Sequence, residues 1–181
     1  MTQPAQRKTA RAVVDLVGLL VAGWCVMTVT HESGHILAGL LGGGTLVAFD
    51  LRPWSLPFSL FSPDPHPLVT MWAGPLLGAL LPLGLALLLR QNWAWFIAAF
   101  CAVANGAYLA TGWISGDTWL DTTKLLEHGA WPISIGTYCA ATIGWGYPTL
   151  RREIVALFQA PPSPDHLSRP PAGQNEADES P

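Results

Sequence analysis

Charge is scarce in this chain. Of its 181 residues only 12% are Asp, Glu, Lys or Arg, against roughly 25% in a typical soluble domain. That excludes an ordinary water-facing surface for most of the length. The net charge of −3 leaves no basic face for nucleic acid. Cysteine is sparse too: Cys25, Cys101 and Cys139 each sit inside an apolar stretch. They read as small buried hydrophobes rather than a disulfide framework or metal ligands. What abounds is hydrophobicity, 50% of residues, gathered in blocks long enough to cross a bilayer. There are nine tryptophans, and Trp93, Trp95, Trp113 and Trp131 fall near block ends, as in an interfacial aromatic belt. The expected class is an all-α integral membrane protein. It has about four transmembrane helices and a short membrane-associated β-hairpin or loop between the first and second.

The polar start, residues 1–12, carries Arg7, Lys8 and Arg11. The run that follows, 13–42, is about twice the length of a signal-peptide core and lacks a convincing cleavage site, so it reads as a retained first span. At 1.5 Å per residue it would extend about 45 Å, more than a hydrocarbon core of about 30 Å. Gly42-Gly43-Gly44 ends it. From 46 to 60 the period changes to alternation (Val47, Phe49, Leu51, then Trp54, Leu56, Phe58, Leu60) with Pro53 and Pro57 between. That is strand patterning, and an irregular interfacial loop is the equal alternative. Spans are expected at 68–89, 93–115 and, more weakly, 131–150. A short polar helix is expected within 116–129, N-capped by Asp117 or Asp121 and stopped by Gly129. Residues 153–181 read as a disordered tail.

Inside the first apolar run stands His31-Glu32-Ser33-Gly34-His35. Residues i and i+4 share a helix face, so both imidazoles can reach one ion while Glu32 takes a proton from water. With five His and five Glu in the chain, H-E-x-x-H arises by chance in fewer than about one such sequence in two hundred. Ionisable groups at membrane depth are costly and by default functional, on the translocon scale about 2.5–3.5 kcal/mol for a central charged residue. The plainer reading is two histidines capping a helix without a metal. A catalytic zinc takes three protein ligands and leaves a fourth position open. Asp117, Asp121, Glu127, His128 and His66 are all candidates for the third. Asn105, inside the third span, needs a partner: another helix, a water or a substrate backbone.

Four spans would place Arg7, Lys8, Arg11, Arg90, Arg151, Arg152 and Arg169 on one side and only Arg52 and Lys124 on the other. The positive-inside rule then puts both termini in the cytoplasm. Spans one and three run the same way, which brings the histidines and the two aspartates to one end.

Taken together, these residues resemble the site-2-protease-like intramembrane zinc metalloproteases. The likeness runs over about 13–129: the His31–His35 motif, the glycine turn and strands, Ala73-Gly74-Pro75, Asn105, and Leu120-Asp121 before a helix. It departs at Thr122, where the family has glycine, and in lacking a proline-rich approach and an inserted peptide-binding domain. The family usually keeps its metal nearer the cytoplasm, whereas the charge count puts the site nearer the opposite face. The resemblance implies Zn²⁺ held by His31, His35 and Asp121, with Glu32 catalytic. Asn105 and the 46–60 stretch are expected to hold an unwound substrate backbone. The implied activity is endoproteolysis in or near a transmembrane segment of a membrane protein, in a bacterial inner membrane. The partners are that substrate and the bilayer, not nucleic acid. The alternatives are a non-hydrolytic metal-binding or scaffold protein of the same fold, and a small ion transporter.

Overall fold

The computed structural model describes residues 3–159. Five helices and one hairpin follow in order: α1 Gln3–Leu41, β1 Leu46–Asp50, β2 Phe58–Phe61, α2 Pro67–Leu89, α3 Asn92–Ser115, α4 Asp121–Glu127 and α5 Pro132–Phe158. The helix-former-rich, proline-free stretch from Gln6 onward leaves nothing to stop α1 until Gly42 and Gly43, the latter at φ 80°. The expected polar start is therefore helical from Gln3, continuous with the first span. Pro67 and Pro132 open α2 and α5, where the missing N–H costs nothing.

Among the described residues, three helices are long and apolar enough to cross a membrane: Gln6–Leu41, Pro67–Leu89 and Asn92–Ser115. The fourth expected span is a helix, but it is not among them. It runs on through Arg151, Arg152 and Glu153 to Phe158, and so past the point where a polar tail was expected. Residues 160–181 of that tail lie outside the described residues.

α3 is the central helix, packed against α1, α2, α4 and α5. Its buried face is mostly small: Ala94, Ala98, Ala99, Ala102, Gly106 and Gly112. Small residues let neighbouring backbones approach closely, which is how helices associate where lipid is as apolar as leucine. Bulkier packing gathers at one end, where Leu109, Leu125, Ile135 and Cys139 bring α3, α4 and α5 together. The cysteines are free, Cys101 and Cys139 buried and Cys25 half-buried. Val13, Val14, Val17, Leu20 and Val21 face outward along α1, as a lipid-facing stripe requires.

The alternating stretch forms an antiparallel hairpin with an irregularity between Leu46 and Ala48. Val47 (62%), Phe49 (55%), Phe58 (40%) and Leu60 (47%) are exposed, while Ala48, Asp50, Ser59 and Phe61 are half-buried. Phe61 presses on Gly39, whose missing side chain makes room for its ring. Trp24 of α1 donates its indole N–H to Pro53 O at 2.6 Å, tying the hairpin connection to the helix.

Candidate metal centre

His31 and His35 lie one turn apart on α1, both buried. Each ring is fixed from behind. His31 Nδ1 donates to Asn105 Oδ1 of α3 at 2.7 Å. His35 Nδ1 donates to the backbone carbonyl of Thr70 in α2 at 2.7 Å. With Nδ1 protonated, each Nε2 keeps its lone pair, the usual arrangement behind a metal-ligating histidine. The two Nε2 atoms are 3.1 Å apart.

The third atom arrives from α4. Asp121 Oδ2 is 2.9 Å from His31 Nε2 and 3.2 Å from His35 Nε2. Asp121 is the first residue of α4, and the N-cap position falls to Leu120 without a side-chain cap. The expected N-cap role for Asp121 thus gives way to the histidines. Asp117 does not cap the helix either. It stays exposed and accepts from Trp119 N–H at 2.9 Å in the preceding turn. α4 is clamped by Thr122, whose hydroxyl donates to Leu109 O at 2.6 Å. Gly112 faces Thr122 across this contact, leaving space for a side chain there.

Two imidazole lone pairs and a carboxylate oxygen therefore converge at separations near 3 Å. With neutral rings none of the three is a donor. One proton can bridge one pair and still leaves the third atom facing acceptors. A divalent ion satisfies all three at once. Tetrahedral bonds of about 2.0–2.1 Å set neighbouring ligand atoms about 3.3 Å apart, close to the spacing here. Glu32 is the fourth member: it is buried, and ligand atoms of His31, Glu32 and His35 lie within 4.8 Å of one another. Its Oε2 accepts from Ser59 Oγ of β2 at 2.7 Å.

Glycine makes this approach possible. A Cβ on Gly74 would collide with the His35 ring, and one on Gly34 would collide with Ala73 O. The Ala73-Gly74-Pro75 segment is thus where α2 crosses α1 against the histidines.

Asn105 is fully buried (0% exposed). Its Oδ1 faces His31 and its Nδ2 donates to Cys101 O at 2.8 Å. Its side-chain partners are therefore His31 of α1 and the backbone of its own helix. Ser59, Thr70 and Tyr108 were not singled out from the sequence. Ser59 was legible only as one side of a strand alternation. Thr70 acts through its carbonyl, which carries no residue signal. Tyr108 stands edge-on to His31, ring centroids 5.6 Å apart, one helical turn from Asn105.

The chain is thus a helical membrane protein with a buried His-Glu-His group suited to a metal ion. Comparison with models of known families, with curated proteins and with solved structures found no match.

Proposed function

We propose that this protein is a zinc-dependent intramembrane endopeptidase of the site-2-protease-like kind. It would hydrolyse a peptide bond in or near a transmembrane segment of a membrane protein. One observation carries the reading. A buried glutamate sits beside three converging lone-pair atoms, and those atoms come from helices far apart in sequence.

His31, His35 and Asp121 would hold the ion, and Asn105 and Thr70 fix the tautomers that make both Nε2 atoms ligands. Zinc bound in such a set lowers the pKa of a water towards 7 and polarises a carbonyl. Glu32 would take the proton of the attacking water and later deliver it to the leaving amine. Ser59 donates to one Glu32 oxygen, leaving the other for the proton. A helical substrate hides its carbonyls in intrahelical bonds, so it must unwind before it is cut. Each hairpin strand keeps one edge outside the two-stranded sheet, and such an edge accepts extended backbone. The setting is a bacterial inner membrane.

Replacing Glu32 by Gln tests this. The variant should keep its zinc and lose cleavage of a reconstituted transmembrane substrate by at least a hundredfold, the usual scale for a general base being roughly 10²–10⁴. Retained cleavage removes the mechanism. Zinc in both proteins with no cleavage by either favours the non-hydrolytic, metal-binding alternative.

A further inference from the structure

One hydroxyl in α1 breaks the habit of its neighbours. Three threonines of the long helices return their hydroxyls to the carbonyl four residues back: Thr30 to Val26 at 2.7 Å, Thr142 to Tyr138 at 2.7 Å, Thr149 to Trp145 at 2.9 Å. Thr28 does not. It is only 1% exposed, and its Oγ1 is the one buried side-chain polar atom among the described residues with no hydrogen-bond partner. Leaving a buried hydroxyl unpaired is costly, and an orphan of this kind points to a missing ligand.

Thr28 precedes His31 by three residues and Glu32 by four, so all three share one face of α1. Together they line a cavity of about 130 Å³. Its remaining walls are mostly apolar: Trp24, Met27 and Tyr108 from the helices, and Leu56 and Pro57, with Ser55 beside them, from the hairpin connection. The Trp24 bond to Pro53 O ties that connection to α1. The volume is close to that of a cavity of about 150 Å³ known to admit benzene, enough for one leucine- or phenyl-sized group.

We infer that this cavity receives one apolar side chain of a substrate segment, while the Thr28 hydroxyl donates to a backbone carbonyl of the same segment. The inference rests on the peptidase reading and names what that site selects. An unwound segment at membrane depth carries carbonyls that lipid cannot satisfy. Thr28 supplies a donor one turn from Glu32, and the walls supply an apolar seat. The site therefore prefers leucine or phenylalanine beside the opened backbone over glycine, and rejects aspartate.

The test reads binding apart from turnover. Full-length Glu32→Gln protein in detergent micelles is titrated with capped Gly-Leu-Gly, Gly-Gly-Gly and Gly-Asp-Gly peptides, followed by saturation-transfer NMR. The leucine peptide should bind at least about tenfold tighter than the other two. Adding Thr28→Val, nearly the same shape without the hydroxyl, should cost about tenfold for the leucine peptide, and Thr28→Ser should restore it. Zinc content and melting temperature should stay unchanged in both. Leu56→Trp, made from an exposed position (65%), should close the cavity to the leucine peptide. Equal binding by the Val variant and its parent, or no preference for leucine over glycine, overturns the inference. Turnover is scored separately on protein that keeps Glu32. Selective binding without any cleavage leaves the cavity standing and removes the peptidase. Cleavage whose KM and kcat are untouched by Thr28→Val does the reverse.

Discussion

Asp50 and Asp121 are both held by nitrogen groups, but from opposite directions. Asp50 meets Arg52, two residues on, at 2.6 Å, and the guanidinium is largely exposed. Asp121 meets imidazoles from residues 31 and 35, brought in from another helix and shut away from solvent. The first pair is a local product of the hairpin. It involves the Arg52 side chain, the Arg52 backbone N–H and the Ser55 hydroxyl. The second exists only once α1, α2, α3 and α4 are assembled. A pair whose guanidinium stands in water gains little because water competes for that partner. A buried set that lacks its last partner is costly, so it is maintained only where something completes it. That difference is the reason to look for an ion at one aspartate and not at the other.

The contrast breaks most visibly in metal content. Purified wild-type protein should carry one zinc per chain. His31→Ala and Asp121→Ala should each lose it, while Asp117→Ala keeps it, as read by atomic emission on the three variants and wild type side by side. Zinc held equally by both aspartate variants would show the carboxylate beside the histidines to be dispensable. Next in size is Gly74→Ala. A methyl pushed against the His35 ring should cost about 1–3 kcal/mol of stability, the usual range for overpacking, and should lower zinc occupancy as well. A thermal shift without loss of zinc would mean that α2 yields instead of the ring. Asn105→Ala should weaken zinc about 10–100-fold, the customary effect of removing the group behind a ligating histidine, measured by competition with a chelator. Smallest is the surface pair. Arg52, first through its side chain and then through its backbone N–H, holds the Asp50 carboxyl well below the usual carboxylate range. A lowered folded-state pKa stabilises above the ordinary value and is lost as pH falls through it. Because its guanidinium partner is exposed, Asp50→Asn should leave zinc unchanged and lower the melting temperature near neutral pH only slightly. Any difference from wild type should shrink below about pH 4.

Long-range chemistry was unevenly legible in the amino-acid order. The paired histidines and Glu32 could be read because a helix places i and i+4 together whatever the tertiary fold. Three apolar blocks and the β alternation could be read because each is a local periodicity. The fourth block was harder. Its first half is apolar, but Arg151, Arg152 and Glu153 continue the same helix, and a count of spans depends on where that helix is cut. Asp121 and Asp117 are alike as sequence. What separates them is the Thr122 clamp to Leu109, a contact between elements that no spacing rule reports. Asn105 was legible as a residue in need of a partner, but not which one, because that depends on how α3 turns towards α1. Thr28 carried no sequence signal at all: it is one threonine among several until its neighbours are seen to bond back and it does not.

Only a hydrogen atom on Gly74 separates α2 from the His35 imidazole. The ring is wedged between main chain in front and the Thr70 carbonyl behind, so its place is set by where two backbones cross and not by a choice among rotamers. A socket formed in this way stays open when its occupant leaves. Stripping the ion with a chelator should empty the pocket without unpacking the helices, and the apo-protein should reload without refolding.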